Sequence, residues 1–360
     1  MRSIFKFAIP VAASVGVIAI SGEASALPCT TAGYTSAYSE CSGNAISAST
    51  VVTSAETVGA AAAQTAGMIS DRLGALAAGS SGVRVSSTNG ETKYGYSLSL
   101  DDEGKAAGNG GQKLGLWFTG AYSNVDYGKT GSQYDGDLAA GIAGFDYKIS
   151  DNLLAGLAFG YEESDLSTTF NVGTEKSDGW TVSPYALYQL DKTYSVEVSG
   201  GYSKLNYDVT RVEPRDKNKI TGTTDASRWF AEASLSGNWS IDALQLGASL
   251  GVLSVSEDKD AYTEVGSGGQ AVASKSTDLG RATLGGEASY SLGDVVIPYV
   301  NANYRRDYNT DSSDDDSIAL GIGSRFQLGD SVSAGIEANT VQGKDDLDQW
   351  GALASFRVVF

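Results

Sequence analysis

From Lys113 to the C-terminus the chain repeats one unit. A run alternating apolar with polar or small residues is followed by a connection that is by turns very short and long. Twelve such runs lie at 113–123, 138–149, 153–163, 179–190, 193–207, 227–241, 244–255, 279–292, 295–307, 317–328, 331–341 and 348–360. The short connections are Ser150 to Asn152, Asp191-Lys192, Asp242-Ala243, Gly293-Asp294 and Gly329-Asp330. The long ones are 124–137, 164–178, 208–226, 256–278, 308–316 and 342–347. A period of two marks strands whose faces meet different surroundings. Because long and short connections never trade places, all the long ones leave one end of an antiparallel sheet. A soluble sandwich would alternate as well, but nothing in it would sort loops by length.

The strands also carry a dimension. Within 227–241, one face holds Trp229, Ala231, Ala233, Leu235, Gly237, Trp239 and Ile241, and the other Phe230, Glu232, Ser234, Ser236, Asn238 and Ser240. The two tryptophans are ten residues apart on the apolar face. At about 3.3 Å per residue and a tilt near 40°, that is roughly 25 Å of height, the apolar band of a membrane barrel between its aromatic girdles. The last strand, Trp350 to Phe360, repeats the spacing, with Arg357 on its other face. An unpaired strand edge in lipid would leave backbone groups unsatisfied, so the last strand must pair with the first. The expected fold is all-β, a twelve-stranded antiparallel transmembrane barrel spanning 113–360.

The N-terminal third is of another kind. Residues 1–26 read as a secretory signal peptide: Arg2 and Lys6, then the apolar run Ala8 to Ile20, then Ala24-Ser25-Ala26. Pro28 before Cys29 argues against a lipoprotein signal. Residues 27–45 form a short tip whose Cys29 and Cys41, exported to an oxidising compartment, are candidates for a disulfide. With no histidine beside them they make a poor metal site. Residues 46–79 follow the helical period through Val51, Ala55, Val58, Ala62, Ile69, Leu73 and Leu76, and Gly79 is a plausible stop. Residues 80–112 are a Gly/Ser-rich linker in which Asn89-Gly90 hints at a hairpin turn.

Eight strands leave a lumen that side chains fill, and sixteen leave an aqueous channel. Twelve should enclose about one slim helix, and the helix is built mostly from Ala, Gly, Ser and Thr. Arg281, Glu287, Arg325, Glu337 and Arg357 fall on the lumen face, where they could hydrogen-bond the helix or stand solvated.

These features resemble the β-domain of autotransporters of the type V secretion class. The resemblance rests on the helix ending in "SDRLGAL", the strand "LGLWFTGAYS", the segment "YDGDLAAGIAGFDYKISDNLLAGLAFGYEESD" and the terminal pattern Phe356, Val358, Phe360. It covers roughly residues 46–360 and implies a barrel with a helix threading its lumen and an N-terminal passenger carried to the cell surface. The terminal pattern implies recognition by the barrel assembly machinery, with periplasmic chaperones as earlier partners. The implied location is the outer membrane of a Gram-negative bacterium, among lipid and lipopolysaccharide, with long loops extracellular and both barrel termini periplasmic. Two features depart from the family: only about 20 residues separate the signal peptide from the helix, and no Asn-Asn self-cleavage pair occurs in it. The alternative is a structural, adhesin-like or porin-like barrel with no secretion role.

Catalysis finds no footing. The chain has no histidine, which removes the usual proton-transfer arrangements of barrel hydrolases. Glu162 and Glu163 border an expected outer loop and read as solvated acids. The acidic stretch Asp307 to Ser317 lacks an EF-hand's central Gly and final Glu, and 266–270 reads as a flexible loop. No cofactor or metal is expected, and a net charge of -18 argues against nucleic acid.

Overall fold

The computed structural model describes residues 55–77, 84–88, 91–95 and 114–360, less 130–132, 214–216, 294, 309–314 and 329–330. The signal peptide, Cys29 and Cys41 lie outside the described residues.

Twelve strands close into an antiparallel barrel. They are β1 (Leu114–Tyr127), β2 (Tyr134–Ser150), β3 (Leu153–Thr168), β4 (Gly173–Gln189), β5 (Tyr194–Val212), β6 (Lys219–Ile241), β7 (Leu244–Lys259), β8 (Lys275–Tyr290), β9 (Val296–Tyr308), β10 (Asp316–Gln327), β11 (Val332–Gln342) and β12 (Leu347–Val359). Closure is between β12 and β1, with Phe356 opposite Phe118 and Val359 opposite Gly115. The Phe360 amide extends the seam by donating to the Leu114 carbonyl at 2.9 Å. No edge is left for lipid to meet. Ahead of the barrel, Arg84–Thr88 pairs antiparallel with Glu91–Gly95 on either side of the Asn-Gly step.

Tight connections gather at one end of the barrel and the longer ones at the other. At the tight end, Asp242 takes a positive φ of 52° in the two-residue turn between β6 and β7, a conformation that Asp tolerates. In the turn after β4, the Asp191 carboxylate accepts the amides of Thr193 and Tyr194, which holds its pKa below the ordinary value. At the other end the structure corrects the expected loops. Most of 164–178 and 208–226 is strand, because β3 runs to Thr168 and β5 to Val212. Alternation persists there, but polar residues such as Glu163, Asp165, Lys176 and Asp178 occupy the outward face above the apolar band. Their composition imitates a loop while the backbone goes on pairing.

The outward face carries two aromatic belts. Toward the long connections Trp180, Tyr202 and Trp229 form a chain of ring contacts, with centroids 6.0 and 4.5 Å apart. Toward the tight turns Tyr194 meets Trp239 edge-on. Between the belts the exposed side chains are apolar, among them Leu235, Leu250, Leu284, Ile322 and Ile336. Leu235 faces out and Ser234 faces in, where its hydroxyl donates to Glu197. An arginine at Leu235 should therefore cost about 2–4 kcal/mol in a bilayer, and one at Ser234 far less. Reversible unfolding of the two variants checks this, since a one-residue slip would exchange their costs.

Inside lies a helix, α1 (Ala55–Ala77). Its Val58, Ala62, Ala66, Met68, Ile69 and Leu73 share one core with inward side chains of the wall, including Trp117, Ile142, Tyr185, Phe230 and Leu279. Small residues let it fit: at Gly59 a Cβ would lie 2.5 Å from Leu279 Cδ2. A helix so poor in large side chains gains its stability from this enclosure rather than from its own propensity.

Candidate functional site: the helix-filled lumen

The helix has a direction. Ala60 and Ala61 pack against Tyr127, Tyr134, Leu138 and Leu166, at the long-connection end of β1–β3. Arg72 lies near the tight-turn end, beside Gly115 at the start of β1. The helix thus runs down the lumen from the long-connection end toward the tight-turn end.

One buried ion pair ties the lower end of the helix to the wall. Arg72 donates from Nε and Nη2 to Asp146 Oδ2 at 3.1 and 2.6 Å, and both side chains are almost fully buried, 5% and 3% exposed. Tyr185 stands beside the carboxylate and accepts a hydrogen bond from Trp117 Nε1 at 2.6 Å. Glycines make room for this cluster. A Cβ at Gly144 would lie 2.5 Å from the Trp117 ring, and one at Gly115 would strike Asp146.

Two further attachments lie higher. Thr65 donates to Glu162, which also accepts from Arg228 Nη1 at 2.6 Å. Arg228 in turn holds Glu257, which Tyr207 also contacts through its hydroxyl. Ser70 hydrogen-bonds Glu232. Charge-assisted bonds of this kind are the strong ones where water is scarce.

Arg281, Glu287, Arg325 and Glu337 hydrogen-bond residues of the wall. Arg325 makes a two-pronged pair with Glu287, at 2.6 and 2.7 Å, and lies over the Tyr299 ring. Arg281 pairs with Asp307, which Lys344 also contacts. Glu337 accepts from Tyr299, Asn301 and Asn339. Arg357 leaves its Nε without a partner.

Three readings are corrected. Glu162 is not a solvated loop acid: its inward parity on β3 brings it into the lumen, whereas its neighbour Glu163 faces out. Asp307 belongs to strand β9 and is buried in its ion pairs, because alternation continues past the apolar band. Residues 266–270 are held in place: Arg211 binds Glu264 and the Gly268 carbonyl, and Glu264 accepts the Gln270 amide. Asp146, Arg228 and Glu257 were missed as wall contacts. For Asp146 and Arg228 the signal was present all the same, a charge at an inward position of an alternating run, whereas Glu257 fell in the stretch 256–278 read as a long connection.

The comparisons agree with this geometry. The autotransporter beta-domain family model matches residues 116–344. Curated relatives are an uncharacterized protein YaiT of Salmonella typhimurium and a putative uncharacterized protein YaiT of Escherichia coli. They are 25% and 24% identical over 258 residues, 66% of this chain and 26% of each relative. The chain spans about a quarter of the length of these relatives. Among solved structures, the translocator domain of the autotransporter NalP from Neisseria meningitidis superposes with a TM-score of 0.65. It is 16% identical and covers 84% of this chain and 98% of that one. The beta domain of the Bordetella autotransporter BrkA gives 0.59 at 18% identity, over 69% of this chain and all of that one. The transport unit of AIDA-I from Escherichia coli gives 0.51 at 14%, over 73% and 94%. The chain belongs to the autotransporter beta-domain family, and its barrel is an outer-membrane barrel of that type.

Proposed function

We propose that the barrel carries its N-terminal segment through the outer membrane and holds it at the cell surface. The observation that carries this reading is the path of the helix, which threads the lumen with its N-terminal end at the long-connection mouth. In this reading the long connections face outside, and the tight turns and both barrel termini face the periplasm. The segment before the helix, with Cys29 and Cys41 joined in a disulfide, is the part displayed. Residues 1–26 direct export and are removed. Phe356, Val358 and Phe360 serve as the signal read by the barrel assembly machinery after delivery by periplasmic chaperones. Lipid and lipopolysaccharide surround the outward face, and no catalytic step is assigned to the chain.

Whole cells provide the test. After mild reduction, a membrane-impermeant maleimide should label Cys29 or Cys41 in intact cells. Labelling only after the outer membrane is permeabilised would place the segment inside and overturn the proposal.

A further inference from the structure

On the outward side of β7–β11 the apolar band is interrupted by a groove of about 650 Å³. That lies within the roughly 300–1,000 Å³ of small-molecule sites. Short side chains at Ala288, Pro298 and Ala338 leave it open between the exposed Tyr290, Val300 and Ile322. Register sets Ala288, Val300, Ile322 and Ala338 in one row across β8–β11, two small residues flanking two large ones.

The wall itself is interrupted at the same place. The β8–β9 ladder runs to Ser289 opposite Tyr299 and resumes at Leu292 opposite Val296, so Pro298 stands opposite Tyr290. Leu292 donates to the Val296 carbonyl at 2.9 Å, and hydrogen-bonded pairs alternate with non-bonded ones along an antiparallel ladder. The Tyr290 carbonyl therefore turns toward Pro298, which has no N–H to give. At the edge of a bilayer such a carbonyl takes its donor from water or from a headgroup. The tight turns at this foot of the barrel add a sign. Those at 242–243, 293–294 and 329–330 each carry one aspartate and no lysine or arginine, whereas Lys148 and Lys192 attend the turns after β2 and β4.

We infer that the groove binds one phospholipid of the leaflet at the tight-turn end, with an acyl chain along its small residues and a primary-ammonium headgroup at Tyr290. An ethanolamine headgroup brings N–H bonds to the Tyr290 carbonyl and positive charge to the aspartate turns. A choline headgroup has the charge without the N–H, and a glycerol headgroup leaves its phosphate facing the aspartates. The site needs only the barrel in a bilayer; that this leaflet is the periplasmic one rests on the orientation proposed above. Its failure therefore differs from that of the proposed function, which the maleimide reads.

The test is native mass spectrometry of the full-length protein in detergent, with phosphatidylethanolamine, phosphatidylcholine or phosphatidylglycerol of matched chains added in turn. The wild type should retain one phosphatidylethanolamine, favoured about fivefold over either other lipid, the size of preference that one hydrogen bond gives. Ala288→Phe and Ala338→Phe fill the groove from opposite sides and should abolish retention. Ala231→Phe, outward on β6 and outside the groove, should leave it unchanged. Pro298→Ala returns an N–H to the Tyr290 carbonyl, so it should still hold one lipid but no longer distinguish ethanolamine from choline. Should neither phenylalanine variant show a heat-modifiable folded band, Pro298→Ala decides. No retained lipid, retention indifferent to these substitutions, or a wild type that does not prefer the ethanolamine headgroup would overturn the inference.

Discussion

A chain beginning at Lys113 should conduct several times more current than the full-length protein. The helix and its side chains fill a column about 10–12 Å across, and nothing else in the described lumen could take its place. Val58, Ala62, Ala66, Ile69 and Leu73 are buried against the wall, so removing them opens the axis to water. With the helix in place the full-length barrel keeps narrow spaces, such as the one beside β9–β12, and its current should be small. Planar-bilayer recordings of the two proteins measure this directly. Equal conductances would mean that the helix leaves the lumen in a membrane.

Replacing Arg72 by alanine should cost about 3–5 kcal/mol, because the buried Asp146 loses its salt-bridge partner and keeps only the longer-range charge of Arg357. Tyr185 beside it cannot replace a cation. The double variant Arg72→Met/Asp146→Leu should recover most of the loss, since exchanging a buried pair for apolar groups is often neutral. Thr65→Val makes the contrast. Its bond to Glu162 is 3.4 Å long and the carboxylate keeps Arg228, so the cost should stay below about 1 kcal/mol. Urea unfolding in detergent, followed by the cold-gel mobility of the folded band, ranks all three. A single Arg72→Ala as stable as the wild type would remove the ion pair from the account.

The barrel was legible in the sequence because each strand carries its own signal. Alternation placed Trp229, Trp239, Leu235 and Trp350 outward from strand-local information, and closure followed from the need to satisfy backbone groups in lipid. The strand ends above the apolar band were not legible. There the outward face is polar, so Asp165 and Lys176 read like loop residues while still pairing with each other across β3 and β4. The lumenal partnerships were hidden for another reason. Parity says that Arg281 or Arg325 faces inward, but whether it meets the helix or a neighbouring strand depends on register and on where the helix lies. Register puts Arg281 opposite Asp307, and Glu287 lies two strands from Arg325, within reach of a long side chain. The helix then takes its own partners, Asp146, Glu162 and Glu232, from the strands against which it packs. Which wall an off-centre helix will favour is a matter of shape: Gly59 against Leu279, Gly115 leaving room for Asp146, Trp117 over Gly144. That information belongs to side chains far apart in the chain and has no periodic trace.

The helix within the wall is the claim on which the rest depends, and a disulfide can test it. A Cβ built on Gly59 lies 3.7 Å from Leu279 Cγ, so cysteines at these two positions would face each other across the helix–wall contact. With Cys29 and Cys41 replaced by serine, Gly59→Cys/Leu279→Cys should oxidise in the folded protein and shift its mobility on a non-reducing gel. Gly59→Cys/Leu284→Cys, whose second cysteine lies on the outward face of the same strand, should not. No cross-link in the first pair, or an equal one in the second, would contradict a helix enclosed by the barrel.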